Sequence, residues 1–178
     1  MKKATITAVL AFLSGMLIVS SVSAQGDKSS RPSPPATATG KVGAATITIN
    51  YSSPSVKGRT IWGDLVPYGK VWRAGANEAT IIETDKPIQV EGKSLPAGKY
   101  SLFATPDQKQ WTIILNSETG QWGIKRTGDA NRDPAKDVLT VTVMPHKSSS
   151  FNERLAYAVT SKGFDLRWEN LEVPVKIK

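Results

Sequence analysis

Arg73, Asn77 and Glu78 fall within six residues of one another, in the run Trp72-Arg73-Ala74-Gly75-Ala76-Asn77-Glu78. Their chemistry is that of polar recognition. A guanidinium offers a planar fork of donors, a carboxamide both donates and accepts, and a carboxylate accepts or relays a proton. Trp62 and Trp72 flank them with flat apolar faces on which a ring or a cation stacks. Together the five residues suit a carboxylate, a phosphate or sugar hydroxyls. The structural reading of the same residues is an Arg73–Glu78 ion pair that pins a loop, with the tryptophans plugging the core beneath it.

Catalytic alternatives draw on few residues. His146 is the only histidine and cysteine is absent, which removes thiolate catalysis, thiolate zinc sites and disulfides. No G-x-S-x-G elbow occurs in the chain that follows the leader. A hydrolase would therefore combine His146 with carboxylates such as Glu78, Asp64 or Glu153, which must share one cleft about 5–10 Å apart. Asp129, Asn131 and Asp133 place oxygen ligands at alternate positions, a pattern that suits calcium. Pro134 and Thr140, however, stand where a calcium loop needs glycine and a bidentate carboxylate. A solvated loop is the favoured reading, and no cofactor is expected.

These residues need a scaffold, and the hydrophobic pattern supplies one of period two. Ile47, Ile49 and Tyr51 alternate with Thr46, Thr48 and Asn50, and Leu139, Val141 and Val143 alternate with Thr140 and Thr142. Similar runs cover 79–84, 87–91, 99–104, 111–115, 155–159, 164–168 and 171–177, separated by turn signals. No helical periodicity of useful length interrupts them. The pattern predicts an all-β fold, a single antiparallel β-sandwich of jelly-roll or immunoglobulin-like topology, with one irregular, partly helical segment at about 54–76. Trp111 and Trp168 sit in strand alternation and read as core. Trp122, between Gln121 and Gly123 in the polar loop 117–136, reads equally as an exposed ring marking a glycan or partner surface and as a ring packed over the sandwich end.

The first 24 residues carry Lys2 and Lys3, an uncharged stretch, and Ser20-Ser21-Val22-Ser23-Ala24. This is the layout of a secretory signal peptide cleaved after Ala24. Residues 25–39, rich in Pro, Ser and Thr without a large apolar side chain, read as a disordered tether. Residues 40–178 form the β domain. Export to the periplasm or beyond is the expected location, with no transmembrane segment once the leader is removed. The full chain of 178 residues carries a formal charge of +8, and losing Lys2 and Lys3 leaves 21 basic against 15 acidic residues, or +6. The basic residues are dispersed rather than striped, so nucleic acid is not an expected partner.

Several runs resemble a bacterial secreted family known as a domain of unknown function, number twenty-nine eleven. They are Tyr51 to Arg59, Leu65 to Arg73, Gly75 to Thr80, Leu95 to Leu102, Trp111 to Ile114, Gln121-Trp122-Gly123, and Leu166 to Glu169 with Val173-Pro174-Val175. The resemblance spans about residues 42–177 and implies a secreted β-rich domain without an assigned activity. The functional expectation is a non-catalytic binding module for a small polar ligand, a glycan or an envelope component. A hydrolase and a structural envelope protein without a ligand are the alternatives, and oligomeric state is left open.

Overall fold

The computed structural model describes residues 27–178, so the signal-peptide expectation for residues 1–24 lies outside the described residues. The main sheet has six antiparallel strands. In chain order its members are β1 (Pro35–Val42), β2 (Ala45–Ser52), β3 (Thr80–Thr84), β6 (Gly98–Thr105), β7 (Trp111–Asn116) and β8 (Asp137–Val143), and they lie side by side in that order. Between β3 and β6 come the short strands β4 (Ile88–Val90) and β5 (Lys93–Leu95), which pair as a hairpin. The chain ends in a long antiparallel hairpin, β9 (His146–Thr160) with β10 (Gly163–Lys176).

Period-two alternation converts directly into burial. Ile47 and Ile49 of β2, and Leu139, Val141 and Val143 of β8, are buried, while the intervening threonines lie at the surface or partly covered. Their apolar face shares one core with Leu155, Tyr157, Phe164, Leu166, Trp168, Val173 and Val175 of the terminal hairpin. The tail of β10 is not a bare edge, because Gln89 exchanges main-chain hydrogen bonds with Lys178 and the Glu91 N–H donates to the Lys176 carbonyl. The opposite face of the main sheet carries a small second core of Ala79, Phe103 and Ile114, covered by Val71 and Ala130.

Three expectations need correction. Among the described residues the helical content is two 3-10 turns, Lys28–Ser30 and Pro134–Lys136, and neither falls in the segment 54–76 expected to be partly helical. That segment is turns and isolated bridges, Trp62 with Val66 and Trp72 with Ala104 among them, as its Gly and Pro content favours. The described part of the expected tether is ordered. It forms one 3-10 turn, capped by the Asp27 carboxylate, and then β1, which pairs with β2 from Pro35–Ser52 to Val42–Ala45. The stretch has no large apolar side chain to bury, and β1 gains its order instead from a main-chain ladder on an existing sheet. Finally, 164–168 and 171–177 belong to one strand, β10, whose pairing slips on either side of Glu169. Glu169 adopts φ +54°, a bulge that resets the alternation and so mimics a strand end.

Candidate functional site

Trp72 enters the sheet at a gap. It exchanges main-chain hydrogen bonds with Ala104 of β6 at 2.7 and 2.9 Å, beyond the point where β3 stops pairing at Leu102. The chain then turns through Ala74 (φ +51°) and Asn77 (φ +57°), two left-handed residues that must be held there by their surroundings. The holding groups are visible. The Ala74 carbonyl accepts from the buried Tyr157 hydroxyl at 2.8 Å and from Thr80 Oγ1 at 3.0 Å. The Gly75 carbonyl accepts from Trp72 Nε1 at 3.2 Å and, at 3.4 Å, from Arg73 Nε. Gly75 itself lies so close to Thr80 that a Cβ there would stand 2.6 Å from Oγ1.

This loop walls a cavity of about 550 Å3. Trp72, Arg73 and Trp168 contribute to its lining, together with Arg59, Lys70 and Asp129. The Arg73 Nη1 is buried and has no hydrogen-bond partner, and burial lowers its pKa below the ordinary guanidinium value without discharging it at neutral pH. Trp168, 1% exposed, also has an unpartnered indole N–H. Behind the wall the indoles form a cluster. Trp72 stacks on Trp168 with centroids 5.9 Å apart and planes 16° apart, and Trp62 meets Trp72, Trp111 and Trp168 edge-on at 4.9–5.9 Å.

The five residues singled out from sequence therefore divide. Arg73 and Trp72 reach the cavity. Trp62 sits in the indole cluster and is not among the residues that line it. Asn77 and Glu78 hold the N-terminal segment instead: the Asn77 carboxamide donates to the Ser33 carbonyl at 2.9 Å, and Glu78 pairs with Lys28 at 3.0 Å and Arg31 at 3.0 Å. Burial alone would raise the Glu78 pKa, but its own backbone N–H and the Lys28 and Arg31 bonds outweigh that and hold it down to about 2. The Arg73–Glu78 pair considered from the sequence does not form.

The catalytic and metal alternatives scatter. Glu153 accepts from the Lys57 N–H, His146 opens β9 opposite Glu172, and none of Glu78, Asp64, Glu153 or His146 lines the cavity. Asp129 accepts from Thr127, Asn131 donates to the Trp122 carbonyl, and Asp133 caps the second 3-10 turn. Among the described residues no three His, Asp or Glu side chains group around a common metal position. Trp111 is buried as expected, and Trp122 is 48% exposed.

Lys70, Arg59 and Gly123 are not among the residues singled out from the sequence. Lys70 lies three residues before Arg73, a spacing that marks a second cation on the same segment. Gly123 packs on the Arg73 side chain: a Cβ there would stand 2.9 Å from Arg73 Cβ and closer still to Cδ.

Antiparallel open sheets and a cavity whose lining includes two indoles and three cations define an all-β domain with a marked concavity. The chain belongs to the family described as a protein of unknown function, DUF2911, which matches residues 33–177. No curated protein and no solved structure matches it. Among the described residues no helix is long and apolar enough to cross a membrane.

Proposed function

We propose that this chain is an exported, non-catalytic binding module that takes a small polar ligand in the cavity beside Arg73. The scaffold is read as a β-sandwich, with the six-stranded sheet as one layer and the β9–β10 hairpin, extended by β4, as the other. The leader pattern in residues 1–24 supports export. The observation that carries the binding reading is Arg73, which lines a cavity of about 550 Å3 and whose buried Nη1 has no hydrogen-bond partner. Ligand sites occupy roughly 300–1,000 Å3 and combine apolar walls with a few convergent polar groups. Leaving a buried donor unmet costs about 1–3 kcal/mol, which makes it poor scaffolding and good preorganisation for an acceptor.

Arg73→Met tests this directly. Methionine keeps most of the aliphatic stem while removing the unmet donor. The expected result is a melting temperature equal to or above wild type, with loss of every ligand that a thermal-shift screen of polar metabolites and glycans finds for the wild type. A variant that melts several degrees lower makes Arg73 a structural pin. A screen without any ligand for the wild type overturns the module reading.

A further inference from the structure

We infer that the ligand is an anion carried on a flat apolar body, an aryl carboxylate or aryl phosphate in chemical class; this rests on the binding-module reading above. Charge is the first argument. Arg59, Lys70 and Arg73 line the cavity against a single carboxylate, Asp129. Arg59 is fixed by bonds from Nε to the Val56 carbonyl and from Nη2 to the Ser55 carbonyl, which leaves N–H groups of its fork for an occupant. Asp129 is partly engaged by Thr127. Among the described residues Lys70 makes no ion pair.

The second argument is an imbalance of hydrogen-bonding groups. Two of the lining residues, Arg73 and Trp168, each carry a buried side-chain N–H donor without a partner, at Nη1 and Nε1. The nearby loop carbonyls are already taken. Ala74 accepts from Tyr157 and Thr80, and Gly75 accepts from Trp72 and Arg73 Nε. An occupant that brings acceptors answers these donors, as carboxylate and phosphate oxygens do, whereas the hydroxyl donors of a sugar meet one carboxylate in the lining, Asp129, and that one is partly engaged. The third argument is the wall itself: half-buried Trp72, backed by the stacked and buried Trp168, and exposed Leu65 offer apolar surface to the rest of the molecule.

The test is a calorimetric titration of the whole protein with matched probes, cross-checked by quenching of tryptophan fluorescence. Phenylacetate and phenyl phosphate are the anions, phenylacetamide the neutral counterpart of the first, inorganic phosphate the anion without a body, and methyl glucoside the neutral polyol. At least one aryl anion is expected to bind ten-fold or more tightly than phenylacetamide and than inorganic phosphate, and which of the two binds better identifies the head group. Arg73→Met should abolish that binding. Lys70→Gln, an exposed change that leaves the core intact, should weaken it several-fold and flatten its salt dependence. Equal binding of phenylacetamide or methyl glucoside, lost in Arg73→Met, overturns the anion inference and leaves the binding module standing. Binding of phenylacetate that Arg73→Met leaves unchanged overturns the inference as well. Failure of all five probes overturns it too, and only an empty wider screen would take the module with it.

Discussion

Gly123→Ala should damage the site although Gly123 is not itself among the residues that line it. The Gly123 φ is not left-handed, so alanine meets no backbone penalty there. Its methyl would instead stand 2.9 Å from Arg73 Cβ and 3.1 Å from Cγ, with Cδ nearer still. A rotamer change can move Cγ and Cδ away but not Cβ. Retreat of the chain is also opposed, because the Gly123 N–H donates to the Asn77 carbonyl and its carbonyl accepts from Asn131, both at 3.0 Å. Overpacking of this kind costs about 1–3 kcal/mol, and for a domain near 150 residues each kcal/mol lowers Tm by roughly 2–4 °C. About 2 kcal/mol, or a fall of roughly 4–8 °C, is the expected result in urea and thermal unfolding. In an Arg73→Ala background the Cγ and Cδ contacts vanish and the Cβ contact stays, so the cycle should show a coupling of about 0.5–1.5 kcal/mol. Affinity for whatever occupies the cavity should fall at least ten-fold in the single variant, since the guanidinium can no longer sit where its stem now holds it. Strictly additive stabilities, or a Gly123→Ala protein that binds like wild type, would refute the idea that Gly123 sets the position of Arg73.

Tyr157→Phe removes one of two donors on the Ala74 carbonyl; the expected loss is about 1 kcal/mol in urea melts, and an unchanged midpoint would show that Thr80 alone holds the loop. Glu78 has a depressed pKa, so its contribution is complete above about 4.5 and is lost as pH falls toward about 2. With its side chain 36% exposed, the shift is discounted for solvent screening, leaving about 1–2 kcal/mol for the two cations together. The Tm gap between wild type and Glu78→Gln should be present at pH 7, shrink in 0.5 M salt and close by pH 2, and a gap constant across that range would contradict the assignment. Millimolar calcium against EDTA should leave Tm unchanged, because Asp129, Asn131 and Asp133 each serve a different local partner; a rise of several degrees would reinstate a calcium site.

What the sequence made legible follows from how local the determining physics is. Alternation in β2 and β8 depends on neighbours two residues apart, and the burial of Ile47, Ile49, Leu139 and Val141 follows it. β1 was invisible because its order comes from a ladder with β2 rather than from apolar side chains. The site was half legible for a similar reason. Arg73 and Glu78, five residues apart, invite pairing, but left-handed Ala74 and Asn77 turn the chain between them. Glu78 finds its cations 47 and 50 residues away. No spacing rule reaches that far, and the cations themselves lay in a stretch whose composition spoke for disorder.

The separation of Arg73 from Glu78 is also what gives the cavity its character. Had the two paired, the guanidinium would have been satisfied internally and Arg73 would bring no unmet donor to the cavity wall. Glu78 is instead saturated by Lys28 and Arg31, and the neighbouring carbonyls of Ala74 and Gly75 are taken up by groups that fix the loop. The acceptors nearest to Arg73 along the chain, the Ala74 and Gly75 carbonyls and the Glu78 carboxylate, each have a structural task. The bonds that hold the loop rigid thus also keep one buried donor open, and rigidity around an unmet group is what lets a ligand bind without a further ordering cost.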